Sequence, residues 1–401
     1  METKRTTDNM DTNSVIQLHA MEMNSKKNTQ RKYILFSVCI SALLVLFGHI
    51  FVLQRQADTT SPYLSIRGDS NYYMDMVEKN YSKVPPPFRY RILVPALASI
   101  LPLESVSALK IITYVSLFCL YICLFWIGRI WNLSLSALCI GIGMYYSSLW
   151  QLYQFHNPYL PSSFSICMMA LMIIFGIKKR FIPYMIALVV GILSHESTLF
   201  LAPLWFLTQD RKKGAWAVIA GISTYAVTHI ALSSGDYSKY LIESTKISAV
   251  NQNLKDIAMN LFGAWSFLWL LGILGILVAP KKQFEFLYIP LVLLGLGGII
   301  SLFFATDIGR IFLPLTVVFP IAITNIFSII KSKIHISIGI LIAALQALTI
   351  ANVLFGNPEL TSIRIILAVT GGVYSIVIWK DIRYHITFKE NLKNFRWKPR
   401  G

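Results

Sequence analysis

Charge is scarce in this chain: only 14% of its 401 residues are charged, with 19 acids, 7 histidines and 5 cysteines. A soluble globular protein carries about a quarter charged residues, so the polar groups present cannot cover a water-facing surface of this size. A soluble globule is excluded. The cysteines Cys39, Cys119, Cys123, Cys139 and Cys167 are odd in number and all lie within apolar runs, which excludes a disulfide framework. The shortage of acids leaves a formal charge of +17 from 36 lysines and arginines. The basic residues form short clusters between long apolar runs, the positive-inside pattern of membrane proteins, so no nucleic acid partner is expected. Residues 1–32 lack an apolar face, and a disordered cytosolic tail is expected there rather than a signal peptide.

Apolar residues, by contrast, make up 55% of the chain. The run from Tyr33 to Leu53 is long enough to cross a hydrocarbon layer of roughly 30 Å as a helix. Lys26, Lys27, Arg31 and Lys32 precede it and place the N-terminus in the cytoplasm. Further runs lie at about 106–128, 133–152, 161–177, 181–207, 214–233, 257–279, 284–304, 311–330, 334–354 and 363–379, with the margin usual for such boundaries. This predicts an all-α polytopic membrane protein with about ten transmembrane helices over residues 33–379, a first outer loop at 54–105 and a basic cytosolic tail at 380–401. The expected location is the cytoplasmic (inner) membrane, with both termini cytosolic.

Alternating crossings put every basic cluster inside, with one exception. The run 181–207 is flanked by Lys178-Lys179-Arg180 and by Arg211-Lys212-Lys213, so a single crossing would leave one cluster outside. A re-entrant or broken helical hairpin removes the conflict. Its middle, Gly191-Ile192-Leu193-Ser194-His195-Glu196-Ser197-Thr198, is polar enough to break a helix, and non-helical backbone survives at membrane depth where it is buried in protein or lines a wet cavity. One long tilted helix is the plainer alternative.

With this topology the longest outer segment is the first loop, and sites are commonly built on loops held by a rigid scaffold. It contains Arg67-Gly68-Asp69-Ser70-Asn71-Tyr72-Tyr73-Met74-Asp75 and then Pro85-Pro86-Pro87-Phe88-Arg89-Tyr90-Arg91. Asp69 suits a turn or helix cap, and capping alone is its plainer role. The prolines predict a stiff extended segment, on which Arg89 and Arg91 share a side and offer donor forks to phosphate; anchoring to lipid headgroups is the alternative. His195 and Glu196 are ionisable groups at membrane depth, a default sign of function, although both can simply hold a broken helix together. They lack the His-x-x-x-His spacing of a helical zinc site. Lesser candidates are Asp307 and Arg310, which can pair with each other in an outer turn, and His156 in the polar turn Gln154-Phe155-His156-Asn157-Pro158-Tyr159. Tyr72, Tyr73, Tyr145, Tyr146 and Trp150 are candidate platforms for a sugar ring, or plain interface aromatics.

A Gly-Asp followed by Tyr-Tyr, a Pro-Phe-Arg-Tyr-Arg-x-Leu-x-Pro stretch, a broken span with charged residues after Gly-x-Leu, and an outer Asp-x-Gly-Arg together resemble multi-pass glycosyltransferases of the GT-C type. The resemblance implies transfer of a sugar from a polyprenyl-phosphate donor to a glycan or lipid acceptor at the outer face, with membrane lipid as surroundings. It implies Asp69 as the essential acidic residue, acting as general base, with Asp75 as the weaker substitute. Asp75, Arg89, Arg91, His195, Glu196, Asp307, Arg310 and His156 are the substrate-binding candidates. Many GT-C members carry two adjacent acids where this chain has Asp69 alone, which leaves a divalent metal possible but not indicated, and no metal ligand is assigned. A transporter or flippase, or a polymerase of lipid-linked glycans, is the alternative function.

Overall fold

The computed structural model describes residues 12–56, 69–146, 148–232, 242, 267–303, 312–330, 333–354 and 361–383. Among them every regular element is a helix. Among the described residues four helices are long and apolar enough to cross a membrane: Asn28–Ile50, Ser105–Ile130, Arg211–Leu232 and Lys281–Ser301. Apolar side chains point outward from them, Leu35 at 65% exposure and Ile230 at 78%, which is the surface of a chain that uses lipid as solvent. The protein is a helical membrane protein.

We number the helices α1 (Thr12–Gln56), α2 (Asp69–Val77), α3 (Leu93–Ser99), α4 (Ser105–Ile130), α5 (Leu135–Tyr146), α6 (Leu149–His156), α7 (Ser162–Ile177), α8 (Phe181–Ser194), α9 (Leu204–Thr208), α10 (Arg211–Leu232), α11 (Leu268–Leu277), α12 (Lys281–Ser301), α13 (Phe319–Ile329), α14 (Lys333–Leu354) and α15 (Thr361–Ile382). About ten full crossings were expected, but several apolar runs divide into shorter pieces. The run 133–152 splits between α5 and α6, where the Ser148 hydroxyl caps α6 by accepting from the Gln151 amide. The run 311–330 splits into a 3-10 helix, Leu313–Val317, and α13, each with a proline at its start. A second correction concerns the expected disordered tail at 1–32: α1 already begins at Thr12. No Gly or Pro lies between Thr12 and Lys32, so nothing stops the membrane helix from propagating back through them.

Residues 181–207 turn back on themselves. The α8 helix has 14 residues, a rise of roughly 21 Å, and ends at His195, whose backbone is extended. A 3-10 helix, Glu196–Leu201, and α9 then return alongside it. The Tyr184 hydroxyl donates to the Leu201 carbonyl at 2.7 Å, and Phe181 meets Trp205 with ring centroids 5.1 Å apart. At the far side of the hairpin, the Gln209 amide donates to the Gly176 carbonyl at 3.2 Å. The turns before and after the hairpin, with their basic clusters, therefore share one end of the bundle.

The main core surrounds α13, in which every residue from Phe319 to Phe327 is buried. Two neighbours approach its backbone closely through glycines. A Cβ on Gly275 of α11 would overlap the Ala322 carbonyl, and one on Gly141 of α5 would press on the Pro320 carbonyl and the Thr324 side chain. Because main chain cannot rotate aside, Gly275→Ala is expected to cost about 1 to 2 kcal/mol. Thermal unfolding of the purified variant checks this; a melting temperature equal to that of the parent would show that the two helices are free to separate.

Candidate functional site

Residues 69–99, with the start of α4, form a cap with an apolar core of its own. Along α2 the buried positions are Ser70, Tyr73, Met76 and Val77, the three-to-four spacing of one helical face. Tyr73, Met76 and Val77 pack with Val84, Val94, Ala98, Ala108, Leu109 and Leu160. The Ser70 hydroxyl donates to the Asn157 side-chain oxygen at 2.8 Å, which ties α2 to the polar turn after α6. Asp69 opens α2 as the acid of its first turn, a position favoured by the helix dipole.

Arg91 joins this cap to the hairpin. Its Nε donates to Glu196 Oε2 at 2.9 Å and its Nη2 to Oε1 at 2.5 Å, a two-point pair that fixes both side chains in orientation. The Arg91 side chain is 13% exposed and that of Glu196 35%. Nη1 of Arg91 donates to the Tyr73 hydroxyl at 2.8 Å. Burial pushes the Tyr73 phenol up to about 12 despite the guanidinium beside it, and the charges of Asp69 and Glu196 add to the rise. Both carboxylates thus act electrostatically on one phenol, which keeps its proton at neutral pH.

His195 has a different task. Its Nδ1 accepts from the Ser197 amide at 3.3 Å, capping the returning 3-10 helix, and lies 3.0 Å from the Ser197 hydroxyl. An imidazole that accepts at Nδ1 carries its proton on Nε2, so the 3.7 Å approach of Nδ1 to Glu196 is not an ion pair in that state. His195→Ala is expected to cost about 1 kcal/mol of stability, with His195→Asn recovering most of it because Asn is a good cap. Equal melting temperatures for the two variants would rule out the capping role.

Several expectations change here. Arg89 and Arg91 do not share a side, because Phe88–Tyr90 forms a 3-10 helix rather than an extended strand. Arg89 Nε instead donates to the Val84 carbonyl at 2.8 Å. Asp75 is half-buried and six residues beyond Asp69, about 240° around the helix, so the two acids face different ways. Tyr145 and Tyr146 are buried at 1% and 7% exposure and offer no platform: Tyr145 donates to Gln151 and Tyr146 to the Leu44 carbonyl. Tyr72 is half-buried and stacks on Phe88 with centroids 5.0 Å apart. Asp307, Arg310 and the side chains of His156 and Trp150 lie outside the described residues.

Sequence reasoning passed over His229 on α10. Its ring lies between Tyr90, at 3.8 Å between centroids, and Tyr225, at 4.0 Å, close enough to Glu196 to feel its charge. The rule that singled out His195, an ionisable side chain in an apolar run, applies equally to His229. Chemically the cluster offers a paired carboxylate, a fixed guanidinium, a neutral phenol and two imidazoles, with Asp69 at its edge. Among the described residues no three of His, Cys, Asp and Glu form a metal-holding group. No protein-family model, no curated protein and no solved structure matches this chain.

Proposed function

We propose that the protein is a membrane glycosyltransferase of the GT-C type that moves a sugar from a polyprenyl-phosphate donor to a glycan or lipid acceptor at the outer face of the cytoplasmic membrane. The observation that carries this reading is the Arg91–Glu196 pair, which binds the cap that bears Asp69 to the polar tip of a hairpin among membrane helices. In this reading the lipid-linked donor presents its phosphate at that junction, with its hydrocarbon tail in the bilayer and its sugar toward the cap. In this scheme the Asp69 carboxylate takes the proton of an acceptor hydroxyl. The acceptor oxygen forms a bond to the anomeric carbon as the bond from that carbon to the phosphate oxygen breaks, and the leaving group is the polyprenyl phosphate. One displacement inverts the anomeric centre. Arg91 serves as a positioning residue, because its Nε and Nη2 are held by Glu196, and Arg310 retains the phosphate-clamping role.

The test is the full chain in proteoliposomes with a radiolabelled polyprenyl-phosphate sugar and a crude acceptor fraction. Label transferred to acceptor, with release of polyprenyl phosphate, is the expected result. Intact donor carried across the bilayer without cleavage would overturn the reading in favour of a flippase.

A further inference from the structure

The basic clusters on either side of the hairpin meet at the end of the bundle opposite the cap. Helix α4 runs between the two ends: Ala108 and Leu109 near its start pack in the core of the cap, whereas Trp126 near its finish carries the Lys178 ammonium 4.2 Å from its ring centroid. The Gln209–Gly176 hydrogen bond holds Arg211, Lys212 and Lys213 beside Lys178, Lys179 and Arg180, and all six are exposed. Partial desolvation lowers the Lys178 ammonium below the ordinary lysine range, and the neighbouring Arg180 and Arg129 cations add to the effect. Asp210, which precedes the second cluster, accepts from the Lys213 amide at 2.7 Å. The α8 helix has no acid in its first turn and no side-chain cap, so Lys178–Arg180 sit at the positive end of a helix dipole, where an anion is favoured, whereas Asp210 holds that position at α10.

A single crossing would have separated these two clusters by the thickness of the bilayer. The fold-back concentrates them instead, at a repulsive cost that an anion relieves, and their position at the margin of apolar helices is headgroup level. We infer that Lys178–Arg180 and Arg211–Lys213 form one binding site for the phosphates of anionic phospholipids in the adjacent leaflet. This site is separate from the proposed reaction and does not depend on it.

Native mass spectrometry and thermal unfolding of the detergent-solubilised full chain, titrated with phosphatidylglycerol or phosphatidylcholine, test the inference. Phosphatidylglycerol is expected to remain bound and to raise the melting temperature, and phosphatidylcholine to do neither. Lys179→Gln/Arg180→Gln/Lys212→Gln is expected to lose about 100-fold in affinity for phosphatidylglycerol, since each cation near such a surface contributes substantially. Lys79→Gln/Lys83→Gln/Lys110→Gln, which removes equal charge at the cap end, is expected to retain it. Equal losses in both triple variants would reduce the effect to net charge and overturn the site. So would equal binding of the two lipids. Stabilisation by inorganic phosphate to the same degree would overturn the assignment to lipid.

Discussion

Under the proposed glycosyltransferase function, Asp69→Asn is expected to slow sugar transfer from a polyprenyl-phosphate donor by about 1000-fold, within the usual range for losing a general base, and to leave the fold intact. Asn matches Asp in shape and gives up only the interaction of the charge with the helix dipole, about 0.3 to 1 kcal/mol, so α2 should still form and keep Tyr73 in the core of the cap. What the substitution removes is the capacity to take up a proton. The loss should fall on kcat, with KM for the donor little changed, because the carboxylate is assigned to the acceptor hydroxyl rather than to donor binding. Initial rates in proteoliposomes containing the full chain, with unfolding temperatures measured in parallel, check this. A kcat within a few-fold of the parent would remove Asp69 from the reaction.

Glu196→Gln is expected to cost about 2 to 3 kcal/mol, because it leaves the Arg91 guanidinium without its counter-charge. The figure lies below that for a wholly enclosed pair because a third of the Glu196 side chain meets solvent, which screens it. The damage should be local to the cap. Hydrogen exchange is expected to rise across α2 and α3, which Arg91 tethers, while α11 and α13 stay protected. Arg91→Met should cost less than Glu196→Gln, since it removes the buried cation itself, and the double variant should cost little more than Arg91→Met alone. Strictly additive costs would mean that the pair does not hold the cap. Transfer activity should fall in each variant, because Asp69 would lose its register with the hairpin.

Much of the fold is legible in the sequence because hydropathy records contact with lipid directly. The run read at 161–177 is the helix Ser162–Ile177, and that at 106–128 is Ser105–Ile130. The break at His195 is legible too, since an ionisable pair follows a glycine in the middle of an apolar run. The break at Ser148 is not, because two serines within an apolar run are a weak signal and the helix start there rests on one hydroxyl that caps α6. Tyr145 and Tyr146 show a related limit: composition cannot separate an aromatic at a membrane interface from one that fills the core. At the site, the residue types in the first loop and the hairpin pointed to a shared region, but their pairing was hidden. Arg89 and Arg91 diverge because a 3-10 turn advances about 120° per residue, which an extended reading of the proline stretch cannot anticipate. That Arg91 would seek Glu196, 105 residues away, is a long-range fact that no local pattern encodes.

The enclosure of α13 also bears on how the chain is assembled. Every residue from Phe319 to Phe327 is covered by protein, and Gly275 and Gly141 let neighbouring helices close on its backbone. A segment that borders no lipid in the finished molecule has to enter a vacancy left by partners synthesised before it. Biogenesis should therefore pass through a stage in which the earlier helices are in the bilayer but unsealed, with α13 as the keystone that closes them.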